Sequence, residues 1–289
     1  MAVQNHIENP FEYVLEKLSW SAGDAGRRLF GRHPEHRLAT APAVRRITPA
    51  DLGDALREGL ADLGASRADV LFIGAVYPIA GLVLAALAFN ANLAPLVFPL
   101  VSGFAMLGPL AAVGLYEISR RRERGEPASL AVADKVLHSP SLGSILALGA
   151  ILLGLFLAWL AVAYLIWLAT LGPVPPLTAS QFVREALTTS AGWTMIVVGC
   201  GVGALFAIAA FALSVVSFPL LLDRDVGVSA AVSTSLAAIR ANPGVMALWG
   251  LIVAASLAIG SVPVLAGLVL VMPLLGHATW HLYRKLTVD

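Results

Sequence analysis

Charge is scarce in this chain. Asp, Glu, Lys and Arg make up 13% of its 289 residues, against about a quarter in soluble domains. Six apolar runs, at 70–89, 96–115, 142–171, 193–222, 244–261 and 262–282, contain none of the four. Ion-coupled carriers place ionisable groups near the bilayer midplane, so the bare runs disfavour a proton-coupled carrier. Cysteine is nearly missing. Cys200 stands alone, which excludes an intrachain disulfide or a thiolate metal site and leaves it the role of a small packing residue. A Walker-type glycine loop, a His-Glu-x-x-His helix and a Gly-x-Ser-x-Gly elbow are also absent, so no signature marks an enzyme.

What the chain does have is apolar bulk. Hydrophobic residues reach 58% and mean hydropathy is +0.82, values that belong in a bilayer. Each run matches the roughly 17 to 25 residues that a spanning helix needs. The pattern predicts an all-α, polytopic membrane helical bundle with six transmembrane helices, which puts both termini on one side. With that topology every one of the 19 Lys and Arg except Arg184 falls on the side of the termini. The positive-inside rule makes that side the cytoplasm, and the expected location is the bacterial cytoplasmic (inner) membrane.

Two regions follow along the chain. Residues 1–47 form a largely flexible basic cytoplasmic arm, with a short amphipathic helix at Phe11, Val14, Leu15 and Leu18 and a tether carrying His33 and His36. Acidic residues and the lack of an apolar core before a small-residue site argue against a secretory signal peptide. Residues 48–289 form the transmembrane domain. It opens at Thr48-Pro49-Ala50-Asp51, a cap, a first-turn proline and a first-turn acid. A stripe of Leu52, Leu56, Leu60 and Leu63 then lies opposite Asp54, Arg57, Glu58 and Asp62, the pattern of an interfacial helix.

That arrangement recurs after Ser129 and after Asp223-Arg224-Asp225, ending at Ser139-Pro140 and Asn242-Pro243. We read three hairpins, each preceded by a cytoplasmic interfacial helix, as tandem repeats of one unit. Gly199 and Gly203 have the spacing that lets a neighbouring helix approach closely.

The falling helix of each hairpin ends in polar residues at a similar depth: Tyr116 and Glu117, then Asp223 and Arg224, then His277 and His281. Around a common axis they would form one polar cluster near the cytoplasmic surface. Carboxylates and neutral imidazoles suit a divalent metal, with His277 and His281 as its ligands. The same groups would also serve a proton-responsive cluster. The plainer reading is a set of helix-end locks within an interfacial belt, with no cofactor.

Several motifs carry a resemblance. Phe98-Pro99-Leu100-Val101, Gly108-Pro109, Gly114-Leu115-Tyr116-Glu117, Arg124-Gly125-Glu126-Pro127, Ser217-Phe218-Pro219 through Asp223-Arg224, Asn242-Pro243 and Gly276-His277 through Arg284 resemble a bacterial integral-membrane family, a domain of unknown function. Some members carry a cytochrome c oxidase subunit I label. The resemblance implies a six-helix inner-membrane protein. A catalytic oxidase subunit needs about half a dozen histidines on membrane helices, and only His277 and His281 qualify, His138 falling in a connector. The expected role is therefore non-enzymatic: a scaffold, assembly or accessory factor in contact with membrane lipid and a membrane-protein partner, not nucleic acid. A metal- or haem-binding membrane protein using His277 and His281 is the alternative, and an uncoupled channel or exporter the third.

Overall fold

The computed structural model describes residues 42–65, 67–90, 93–127, 139–172 and 178–288. The amphipathic helix and histidines of the arm, and the connector helix with His138, lie outside the described residues. Those described are all-α apart from a single bridge between Val44 and Thr287. In chain order the helices are α1 (Pro49–Ala65) and α2 (Arg67–Asn90), α3 (Ala94–Glu123) and α4 (Leu142–Thr170), and α5 (Ala179–Thr188). They continue as α6 (Ser190–Asp223), α7 (Gly227–Ala241), α8 (Pro243–Ser261) and α9 (Leu268–Leu286).

Four of these, α3, α4, α6 and α8, are long and apolar enough to cross a membrane, and α2 holds a shorter apolar stretch, Gly74–Ala88. Along the long helices large side chains such as Leu165, Val197, Leu205, Leu251 and Ile259 point outward. Water would penalise such a surface, whereas lipid tails solvate it.

Prolines shape the long helices. In α3, Pro95, Pro99 and Pro109 remove backbone donors, and 3₁₀ turns tighten the helix at Ala94–Leu96 and Ala105–Leu107. In α6 the ring of Pro219 conflicts with the carbonyl four residues back, and the helix is interrupted between Ser214 and Ser217. Ser235 of α7 repairs that break: its hydroxyl accepts from Val216 N at 3.4 Å and donates to Ala212 O at 2.7 Å. A buried backbone gap is thus satisfied from a neighbouring helix, as a membrane interior requires.

Packing sets the order of the bundle. On α4, the indole N–H of Trp159 donates to Pro99 O of α3 at 2.9 Å, and the ring lies 5.7 Å from Phe206 of α6. A Cβ at Gly203 would lie 2.9 Å from that ring, while Gly199 and Gly201 have nothing within 4 Å. The glycine spacing in α6 therefore serves packing on α4 through Gly203.

Helix α9 is the central post. Pro273 leaves Val269 O without its usual donor, and Gly74 of α2 packs directly on that carbonyl, while Gly81 faces Leu265. Rising numbers in α2 meet falling numbers in α9, so the two run antiparallel. Gly59 of α1 extends the contact to Ala278.

The N-terminal helix differs from its expected face. Leu52, Ala55, Gly59 and Asp62 are buried, whereas Leu60, expected within the apolar stripe, is exposed. Close approach decides it: a Cβ at Gly59 would sit 2.6 Å from Ala278 N, so the small-residue line faces α9. At the start of α1 the first-turn acid does the capping: the Thr48 N–H and hydroxyl both donate to the Asp51 carboxylate, at 2.7 and 2.8 Å, where the sequence pointed to the Thr48 side chain as the cap. Residues 43–47, the last of the segment read as an arm, are clasped. Arg45 N donates to Leu286 O, Val288 N to Ala43 O, and Ile47 N to Asn242 Oδ1.

Candidate functional site

Three helix faces build a buried polar knot. Glu58 and Asp62 lie one turn apart on α1, Ser119 and Arg122 on α3, and His277, His281 and Lys285 on successive turns of α9. Asp62 is the hub. Its Oδ2 accepts from Ser119 Oγ at 2.5 Å and contacts His281 Nε2 at 2.9 Å, and its Oδ1 pairs with Arg122 Nε at 2.9 Å. His281 Nδ1 lies 3.1 Å from Glu58, whose other oxygen accepts from Lys285 Nζ at 3.3 Å.

His277 is fully buried, with Nδ1 2.7 Å from Ser119 Oγ. The single serine proton serves Asp62, so the proton on that edge of the imidazole sits on Nδ1. His277 Nε2 then presents a lone pair that has no partner among the described residues. Burial by itself would raise the Asp62 carboxyl, but opposing interactions, led by the hydrogen bonds from His281 and Ser119, outweigh it and hold the group below the ordinary carboxylate range.

A second network zips the ends of α3, α6 and α9. Glu117 pairs with Arg120 and Arg121 at 2.9 and 2.7 Å, and Arg120 donates to Leu222 O at 2.7 Å. Asp223 accepts from Tyr283 at 2.9 Å and lies 3.4 Å from Arg124 and 3.9 Å from Arg224. Glu123 accepts from both Arg284 and Trp280 at 3.0 Å.

The six residues singled out by sequence are thus divided. Glu117, Asp223 and Arg224 belong to the zipper, and His277 and His281 to the knot. No hydrogen bond or ion pair joins Glu117 or Asp223 to either histidine among the described residues. Tyr116 joins neither group: it lines an apolar cavity of about 210 Å³ among α3, α6, α8 and α9. Among the described residues no three His, Cys, Asp or Glu side chains are grouped as metal ligands. The sequence reading placed Glu58 and Asp62 on the polar face of an interfacial helix, and it did not single out Ser119, Arg122 or Lys285 for the site; Asp62 is instead buried. A faint signal existed, because Asp62 continues the Leu52, Ala55, Gly59 line at helical spacing.

The outward apolar helices and inward polar ends define an integral, multi-pass α-helical membrane protein. Residues 97–223 match the sequence model of a family described as predicted integral membrane protein, DUF2189, a domain of unknown function. The matched segment is less than half of the chain and runs from α3 to the end of α6. No curated protein matches the chain, and no solved structure does.

Proposed function

We propose that this is a six-crossing protein of the bacterial cytoplasmic membrane, with both termini in the cytoplasm, that works without catalysis as a scaffold, assembly or accessory factor for another membrane protein. Helices α2 and α9 supply the two crossings beyond the four long apolar helices. Their antiparallel contact supports this, as do the ion pairs that gather the ends of α3, α6 and α9 on one side.

One observation carries the functional reading. The ionisable groups at that end are engaged with one another: Asp62 with Arg122 and His281, Glu117 with two arginines, and Asp223 with Tyr283. Carboxylates committed in this way hold helix ends in place, and hydrogen-bonded, paired charges are the form in which buried ions persist. Blue-native electrophoresis of gently solubilised membranes tests the reading. We expect the full chain to migrate with one membrane-protein partner at fixed stoichiometry, and migration as the isolated chain in every mild detergent would overturn it.

A second reading has its own support. His277 Nε2 is a buried ring nitrogen without a partner among the described residues, which favours a metal or haem ligand role for His277; His281 would join it only by leaving Glu58 or Asp62. Metal analysis and an optical spectrum of the purified protein test this. Bound metal or haem, lost in the double His277→Ala, His281→Ala variant, would support it, and a metal-free, colourless protein would remove it.

A further inference from the structure

The cavity beside Tyr116 is not part of either polar network. Its lining includes the buried Tyr116, 2% exposed, and Trp249, 1% exposed, together with the buried Ser214. Its mouth opens between helices at Ser102, Ala207 and Ala254, all exposed on the face of membrane-crossing segments. Among the described residues the Tyr116 hydroxyl, the Trp249 indole N–H and the Ser214 hydroxyl make no hydrogen bond within the chain, and their residues line this space. Three donors without a partner in the chain, around one apolar space, call for an acceptor from outside it. The volume of about 210 Å³ exceeds that of an engineered cavity of about 150 Å³ that accepts benzene.

We propose that this cavity binds a membrane phospholipid of the leaflet on the charged side, one acyl chain filling the space and its ester carbonyl accepting from Tyr116 and its neighbouring donors. Depth favours this occupant. Tyr116 directly precedes Glu117 of the zipper, and Trp249 lies six residues, about 9 Å, along α8 from Pro243. The donors therefore lie just inside the charged rim, where lipid ester groups give way to chains. A mouth facing the bilayer also admits a molecule that already resides there, without passage through water.

The test uses the full-length protein in nanodiscs containing phosphatidylglycerol with a photoactivatable diazirine on one acyl chain. We expect saturable labelling of peptides from α8 and α9, displaced by unlabelled phosphatidylglycerol. Tyr116→Phe removes only the hydroxyl and should weaken binding about fivefold, the loss of one hydrogen bond. Ala254→Phe blocks the exposed mouth and should abolish the saturable labelling. Circular dichroism and gel filtration of both variants must match the parent, and Ala207→Phe replaces Ala254→Phe if that variant does not fold.

Labelling spread evenly over all lipid-facing helices and unchanged in the variants would overturn the site. Displacement by a decyl-substituted benzoquinone but not by unlabelled lipid would overturn the assignment to an acyl lipid. Unchanged affinity in Tyr116→Phe would overturn the role given to its hydroxyl.

Discussion

At the scale of single residues, Asp62 decides how α1 is held. Replacing it with Ala leaves Arg122 and His281 facing a gap, and removing one partner of a buried pair costs about 3 to 5 kcal/mol. Arg122 keeps 32% of its side chain exposed, so we expect the low end, about 3 kcal/mol. Ser119→Ala should cost less, about 1 kcal/mol, since it removes one hydrogen-bonding group from the knot. Thermal unfolding in detergent, followed by tryptophan fluorescence, measures both. The pH response has a definite sign. Because the folded carboxyl of Asp62 lies below its unfolded value of 3.8, its contribution is complete above that pH and is lost as pH falls through the folded value. Asp62→Asn should flatten that part of the acid-stability curve, and an unchanged curve would show that another group controls it. Beyond its place on the Leu52, Ala55, Gly59 line, nothing in the local sequence marks Asp62 as the hub. Its hydrogen-bond partners Ser119 and His281 stand 57 and 219 positions away, and a charge on an amphipathic helix reads as solvated until the neighbouring helices are in place.

At the scale of elements, the long helices were legible because an uncharged run of that length has one stable form in lipid. The starts of α1 and α8 were legible for a local reason too, a proline at the first helical position, Pro49 and Pro243. Which face of α1 is buried was not. Four leucines outweigh Ala55 and Gly59 on any transfer scale, but the distance of closest approach to α9 is set by the smallest residues, and Leu60 stays outside. Gly59→Leu tests that account. Its side chain would enter the backbone of α9 at Ala278, so α1 must move away and expose Asp62. Overpacking of this kind costs about 1 to 3 kcal/mol, and the knot would be lost in addition. We expect limited proteolysis to cut α1 in Gly59→Leu while leaving the parent intact. In contrast, Gly53→Leu, at a site with nothing within 4 Å, should behave as the parent.

At the scale of the whole molecule, the number of crossings governs where every polar group lies. The four long apolar helices alone leave α2 and α9 undecided, because α9 carries histidines and basic residues in its second half and α2 has only a short uninterrupted apolar stretch. The proposal of six crossings draws on packing: α2 and α9 run antiparallel along one another, and α9 ends among the same arginines and carboxylates as α3 and α6. Single cysteines in a Cys200→Ala background, labelled with a membrane-impermeant maleimide, read the outcome directly. Arg57 and Glu126 flank α2 and α3, so two crossings leave both positions on the cytoplasmic side, labelled only in inverted vesicles. Ser180 in α5 and Val264, 73% exposed in the turn between α8 and α9, should label from outside. If α2 failed to cross while α3 did, Arg57 and Glu126 would react on opposite sides. If α9 failed to cross, Val264 and Val288 would react on the same side, and the knot and the zipper could not share one face of the membrane.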